Sequence, residues 1–114
     1  MKKHRFKNFL TNYAIWQDTT FPNQSVTSKL EHLKTEINEV IEILESTDST
    51  TELYVENYLL RHEIADAFLL MFASAMDLGF NFSDIKVVMA EKFEIIKNQE
   101  WAEPDEKGIT HRIK

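Results

Sequence analysis

The sequence predicts an all-α protein, a four-helix bundle whose helices are shared across a homo-oligomer interface. Only two glycines and two prolines interrupt its 114 residues, which is little of the punctuation that strands and turns need. Apolar and polar residues nowhere alternate over a sustained run, so no strand is predicted. Four stretches instead repeat apolar residues every three or four positions. A chain of this length can bury one core, and we expect a single domain over residues 1–114.

The first helix is predicted over residues 4–18. Its apolar positions follow helical spacing, with Phe6, Phe9, Leu10, Tyr13 and Trp16 or Gln17 in turn. The sequence TTFPN then ends it, because Pro22 favours an extended conformation for the preceding residue. The basic start of the chain lacks the apolar run of a signal peptide.

The second helix is predicted to begin near Ser25 or Thr27, both suitable N-cap residues. It ends in the polar sequence STDSTT at 46–51. Between these points the apolar residues form a heptad-like seam about three heptads long: Val26, Leu30, Leu33, Ile37, Val40 and Leu44.

The third helix is predicted over residues 52–78, with Gly79 as its C-terminal cap. Its second half is apolar nearly all round, which is typical of a central, buried helix. We expect four of its side chains in the core, namely Phe68, Leu69, Phe72 and Met76. The apolar surface of helices two and three exceeds what one short bundle hides, so a homodimer or homotetramer is expected.

The fourth helix is predicted to follow an N-cap at Ser83 and to place Phe93, Ile96 and Trp101 on or near one face. The polar sequence AEPDEKGITHRIK, residues 102–114, contains Pro104 and Gly108 and is expected to form an irregular arm.

Composition excludes several classes of function. The net charge of −6 argues against a general nucleic-acid binder, which needs a basic face. The longest apolar stretch is shorter than the ~20 residues that span a bilayer, so no membrane partner is expected. The absence of cysteine rules out disulfides and thiolate metal sites, and it suits a reducing cytoplasm.

Two acidic pairs are the main candidates for a functional site. Glu36 and Glu39 lie three residues apart on helix two, and Glu63 and Asp66 have the same spacing on helix three. Residues three apart project from one side of a helix. Such pairs usually lie on solvated faces, but 36/39 lies beside the apolar seam and Asp66 lies inside an apolar run. A buried, unpaired carboxylate costs several kcal/mol, so Asp66 must be neutralised, paired or metal-bound.

The composition of this acidic set favours particular metals. A site made only of carboxylate oxygens suits Mg²⁺ or Mn²⁺, whereas Zn²⁺ and Cu²⁺ more often use His or Cys. A di-iron bundle would need Glu-x-x-His, and no histidine here follows a glutamate by three residues.

Four further residues are weaker candidates. Lys29, two turns before Glu36 on the same face, is a candidate phosphate ligand or a surface lysine. His32, one turn before Glu36, is placed to orient it or to lie exposed. Trp16 and Phe21 are candidates for stacking on a nucleobase, or for packing in the core or an interface.

The four acids and their surroundings resemble a known family, the all-α MazG-like nucleoside triphosphate pyrophosphohydrolases. The similarity runs through nearly the whole chain from Trp16, and it points to the small dATP/dGTP branch found in bacteriophages and bacteria. The segments that carry it are TFP at 20–22, SKLEHLKTEINEVIE at 28–42, HEIADAFLLMFASAMDLGF at 62–80 and KFEIIKNQEWAEPDEKGITHRIK at 92–114.

The resemblance implies hydrolysis of a purine deoxynucleoside triphosphate to its monophosphate and pyrophosphate. It implies that Mg²⁺ is bound by Glu36, Glu39, Glu63 and Asp66, that Glu39 or another glutamate is the general base, and that Lys92 contacts phosphates. The chain departs from the branch at Ile96 and Gln99, where Asn and Arg are usual. Two alternatives therefore stay open: a helical dimerisation or regulatory module, and a catalytically weakened nucleotide-binding relative.

Overall fold

A computed structural model describes residues 5–46 and 57–113. The described chain contains no strand. It contains four helices, namely α1 (Arg5–Thr20), α2 (Val26–Ser46), α3 (Tyr58–Asp77) and α4 (Phe82–Lys97). The predicted all-α class and helix count are confirmed. By its contacts the chain divides into two compact units, one up to Phe82 and one from Ser83 onward. No described helix is both long enough and apolar enough to span a bilayer.

The connection between α1 and α2 lies close to its predicted position. Helix α1 includes both threonines of TTFPN, and the amide of Phe21 still donates to the carbonyl of Gln17 at 2.9 Å. Ser25 caps α2 as predicted, because its Oγ accepts a hydrogen bond from the amide of Ser28 at 3.0 Å. This bond satisfies one of the free amides at the helix start.

Helix α3 begins later than predicted, at Tyr58 instead of residue 52. Asn57 has extended backbone angles, φ −74° and ψ 112°, and its side chain accepts from the amide of Leu60. That geometry is an N-cap and marks a helix boundary. The sequence prediction missed this cap, and residues 52–56 of the predicted helix lie outside the described residues.

The predicted C-terminal cap of α3 is confirmed. Gly79 has φ +99°, a conformation that side-chain-bearing residues rarely adopt. Its amide donates to the carbonyl of Met76, and the amide of Phe80 donates to that of Ala75, both at 3.0 Å. These two bonds form a Schellman motif, which satisfies free carbonyls at the helix end.

The first unit is organised around α3, against which both α1 and α2 pack. Helices α2 and α3 are antiparallel, because Lys29 near the start of α2 bonds to Asp77 at the end of α3. The core is small, and its buried apolar side chains come from all three helices: Leu10, Ala14, Leu33, Leu60, Leu70, Phe72 and Ala73.

The prediction that α3 is buried on all sides is wrong for the single chain. Phe72 is buried, and Leu69 and Met76 are partly buried. Phe68, however, is 74 % exposed and Met71 is 51 % exposed. Since α1 and α2 cover only part of the helix circumference, an apolar face of α3 is left uncovered.

Helix α4 begins at Phe82, so Ser83 lies within its first turn and is not the predicted cap. Helix α4 has no buried residue among its 16 positions. The segment after it forms no helix within residues 102–113, and it contains local backbone contacts. Trp101 forms an antiparallel bridge with Arg112, and backbone hydrogen bonds of 2.8 Å join Ala102 to His111 and Asp105 to Ile109.

Candidate metal centre

Three of the four predicted acids meet at the interface of α2 and α3. Carboxylate oxygens of Glu36, Glu39 and Glu63 lie within 4.8 Å of one another. The spacing of three residues puts Glu36 and Glu39 on the side of α2 that faces α3. Glu36 is buried, and Glu39 and Glu63 are partly buried. We call these three residues the acidic cluster.

The acidic cluster is electrostatically crowded. The pKa of the Glu39 carboxyl is raised, first by its hydrogen bond with Glu63 and then by the charge of that group. The pKa of Glu63 is raised as well, chiefly through its hydrogen bond with Glu36. Like charges at this separation disfavour full ionisation, and a bound cation is one way to relieve them.

Glu63 offers a buried oxygen to the acidic cluster. Its Oε2 atom is buried and has no hydrogen-bond partner within the described parts of the chain. Buried polar atoms nearly always have partners, so one without a partner requires a physical reason. An ion or a water held by the acidic cluster would provide it.

His32 contacts Glu36, which is one of the two roles that the sequence left open for it. Its Nε2 lies 2.9 Å from Oε1 of Glu36, one helical turn away. The contact restrains the carboxylate of Glu36, whose side chain is only 11 % exposed. A hydrogen bond of this kind to a ligating group is typical of metal sites.

Asp66, the fourth predicted acid, is exposed in the single chain and lies outside the acidic cluster. The expectation that it is buried is wrong, because its side of α3 belongs to the uncovered part of the helix. Asp66 lies one turn from Glu63 on the same helix, which keeps it within the same region of the surface.

Tyr13 of α1 is a neighbour of Asp66 that the sequence reasoning missed. The pKa of its phenol is raised, first by burial and then by the negative charge of Asp66. Its ring lies 6.1 Å from that of Trp16. Its helical spacing predicted a packing role, and nothing in the sequence placed it near an acid.

Lys29 is not placed to contact a phosphate. It is fully buried, and its ammonium group donates to Asp18 at 2.7 Å and to Asp77. Burial lowers the pKa of Lys29, but the hydrogen bonds to the two carboxylates outweigh burial and leave the pKa raised. Sequence spacing put Lys29 on the face of Glu36 correctly, and it could not reveal these two partners.

Trp16 and Phe21 lie together at the end of α1. Their ring centroids are 6.0 Å apart and the rings are nearly perpendicular, at 89°. They are 54 % and 48 % exposed, respectively. The pair therefore presents aromatic surface to solvent, which is the property that base stacking requires.

Lys92 lies on α4 in the second unit and is exposed. The two departures from the family pattern lie in the same unit. Ile96 is 38 % exposed, and its carbonyl accepts a hydrogen bond from the indole of Trp101 at 3.3 Å. Gln99 is partly buried.

Comparison with known proteins identifies the fold. No protein-family model matches the chain, and no curated protein sequence matches it. One solved structure that matches is a cyanophage S-2L MazG-like pyrophosphohydrolase bound to dGDP and three catalytic Mn²⁺ ions per active site. The TM-score is 0.68 at 21 % sequence identity, and the match covers 94 % of this chain and 95 % of the other. The chain therefore has the MazG-like fold.

Proposed function

We propose that this protein is a metal-dependent nucleoside triphosphate pyrophosphohydrolase. It converts a purine deoxynucleoside triphosphate, dATP or dGTP, and water to the monophosphate and pyrophosphate. The observation that carries the proposal is the acidic cluster, in which a buried oxygen of Glu63 has no hydrogen-bond partner among the described residues. The cluster occurs on the fold of a pyrophosphohydrolase that was solved with a deoxyguanosine nucleotide and Mn²⁺.

The residues present fit hard divalent cations. Glu36, Glu39 and Glu63 offer converging oxygens, and Asp66, one turn after Glu63, supplies a fourth carboxylate. An all-oxygen set of this kind suits Mg²⁺, with Mn²⁺ as the alternative. Such ions, when bound, neutralise triphosphate charge and lower the pKa of a bound water.

The protein's own groups have distinct roles in this proposal. Glu39 is the candidate general base, because its partly buried carboxylate lies in the acidic cluster beside those of Glu36 and Glu63. Glu36 is the second candidate, and His32 holds its carboxylate in place. In this proposal the water attacks the α-phosphorus, and the bond from that phosphorus to the bridging oxygen of the leaving pyrophosphate breaks.

The remainder of the nucleotide contacts residues outside the acidic cluster. Trp16 and Phe21 are proposed to stack on the base, for which their exposed, adjacent rings are suited. Lys92 is proposed to offset phosphate charge. Lys29 is left out of this role, because its ammonium is buried and paired with two carboxylates.

An enzyme of deoxynucleotides acts where these nucleotides are made and used, so we propose a cytoplasmic location.

The uncovered apolar face supports the proposal of a homodimer. An open groove of about 380 Å³ lies between α2 and α3, and only apolar residues line it: Leu33, Ile37, Val40, Ile64, Ala67, Phe68 and Met71. Apolar patches of this kind are typical of interfaces. We propose that the α2–α3 pair of a second copy covers the groove and completes a four-helix core.

A screen of the eight common ribo- and deoxyribonucleoside triphosphates tests the activity. We expect pyrophosphate, and no single phosphate, to be released from dATP or dGTP when Mg²⁺ or Mn²⁺ is present. The substitution Glu39→Gln should lower kcat by about 100-fold or more, the loss typical for a positioned proton acceptor. Glu45→Gln, an exposed change on the same helix, is the matched control and should leave turnover unchanged. Metal-independent turnover, or none with any substrate, would contradict the proposal.

A further inference from the structure

Lys29 is the most completely buried ionised group in the described chain, and the proposed chemistry does not use it. Its residue exposure is 0 %, a value that Ser74 alone shares among the buried polar residues that the structure describes. Its ammonium donates to Asp18 of α1 at 2.7 Å and to Asp77 of α3. We call these three residues the Lys29 clasp. It is a point at which polar groups of α1, α2 and α3 meet.

The Lys29 clasp and the acidic cluster lie on the same face of α2. The buried residues of α2 are Lys29, Leu33 and Glu36, at spacings of four and three residues. Such residues form one stripe along a helix. The rotation of α2 that points Lys29 towards Asp77 therefore also points Glu36 towards α3.

Apolar packing alone would hold this register weakly. Leu33 is the only apolar residue among the three buried positions of α2, and hydrophobic contacts are non-directional. A slide of α2 by one turn, about 5.4 Å, would break both bonds of Lys29. Breaking a buried ion pair leaves an uncompensated charge, which is strongly unfavourable. Setting register is the best-supported use of such buried polar groups.

We propose that Lys29 is a positioning residue for the acidic cluster. By holding Asp18 and Asp77, it fixes the register and rotation of α2 against α3, and it thereby sets the separation of Glu36 from Glu63. The same clasp ties the end of α1, which carries Trp16, to the helix pair. The consequence for metal binding rests on the proposed function, whereas the consequence for helix register does not.

The variant Lys29→Met tests the proposal, because methionine keeps an unbranched apolar chain and removes the charge. The matched control is Lys34→Met on the same helix, where the lysine is 71 % exposed and pairs with Glu31 at 3.4 Å. Two quantities are measured on the full chain. The first is the dissociation constant for Mn²⁺. The second is the yield of crosslinked product that a short thiol-reactive reagent forms in a chain carrying both Glu36→Cys and Glu63→Cys. The natural chain has no cysteine, so the crosslink is specific.

We expect Lys29→Met to raise the dissociation constant for Mn²⁺ by roughly tenfold or more, the scale seen when groups supporting metal ligands are lost. The crosslink yield should fall in the same variant, and Lys34→Met should change neither quantity. A lower melting temperature with wild-type Mn²⁺ affinity and wild-type crosslinking would overturn the proposal, because the clasp would then only stabilise the fold.

Two further arrangements keep the test decisive. If Lys29→Met does not fold, Asp77→Asn replaces it, since the amide oxygen still accepts a bond from Lys29 while the charge is lost. We then expect smaller changes in the same direction, and wild-type values for both quantities would overturn the proposal. If the wild-type protein itself binds no Mn²⁺, the proposed function fails, and the crosslink yields alone decide whether Lys29 sets the register.

Discussion

At the residue scale, the acidic cluster is an unfavourable arrangement for folding without a metal. A carboxyl group whose folded-state pKa is raised stabilises the protein most at low pH. That contribution is lost as the pH rises from the pKa of the group in the unfolded chain through its pKa in the folded protein. Glu39 and Glu63 both have raised pKa values, so above this window their charges oppose folding. Such a cost is expected where a site is organised for a ligand.

The substitution Glu63→Gln separates stability from ligand binding. Removing one charge from the acidic cluster should raise the melting temperature of the metal-free protein at neutral pH. The same change should remove the stabilisation by Mn²⁺, which for the wild type amounts to roughly 2.7 kcal/mol at one hundred times the dissociation constant. Thermal unfolding with and without Mn²⁺ measures both effects. Glu45→Gln is the control, and an unchanged response of Glu63→Gln to Mn²⁺ would exclude Glu63 as a ligand.

The residues of the site differ in how far the sequence could predict them. The spacing of Glu36 and Glu39 beside an apolar seam predicted their convergence with Glu63, and one-turn spacing predicted the contact of His32 with Glu36. The contact of His32 with Glu36 is local along one helix, and the convergence with Glu63 requires only that the apolar faces of α2 and α3 pack together. The partners of Lys29 lie 11 and 48 residues away, and only the packing of three helices brings them together. Asp66 was misjudged for a related reason, since periodicity does not say which face of a helix is covered.

At the element scale, caps decided where the helices begin and end. Gly79 was recognisable because a glycine after an apolar helical run favours a Schellman motif. Asn57 was not recognised, because a periodic pattern continues through charged residues before it. A cap is a single side-chain contact, in this case Asn57 Oδ1 with the amide of Leu60 at 3.0 Å. The pattern of apolar residues carries no information about such a contact.

The cap at Asn57 should be measurable as stability. Asn57→Ala removes the acceptor for the amide of Leu60 and should lower the free energy of unfolding by about 1 kcal/mol. Asn57→Ser keeps a capping oxygen and should lower the free energy of unfolding by about a few tenths of a kcal/mol at most. Urea unfolding followed by circular dichroism measures both variants. Equal losses for alanine and serine would show that the contact does not cap α3.

At the scale of the whole molecule, the single chain is incomplete as a hydrophobic structure. Within the described residues, the seam of α2 and the far side of α3 leave large apolar side chains in solvent, among them Ile37, Ile64, Phe68 and Met71. The sequence predicted that this apolar surface exceeds what one bundle can bury. The open groove between α2 and α3 is where that excess lies.

Charge placed in this groove should prevent assembly. Phe68 is 74 % exposed and lines the groove, so Phe68→Glu costs the isolated chain little packing. In a symmetric dimer the same substitution enters the interface twice, and an unpaired buried carboxylate is costly. We therefore expect a monomer by sedimentation equilibrium at concentrations where the wild type is a dimer, with helical content retained.

The control for this test is a substitution of matched chemistry away from the groove. Phe9→Glu on α1 changes a side chain that is 56 % exposed and does not line the groove. We expect it to leave the oligomeric state unchanged. A dimer that persists in Phe68→Glu would place the interface elsewhere, and a wild type that is monomeric at all concentrations would exclude the proposed homodimer. Ala67 directly follows Asp66, Ile64 lies two residues before it, and both line the groove. Loss of the dimer should therefore lower activity together with assembly.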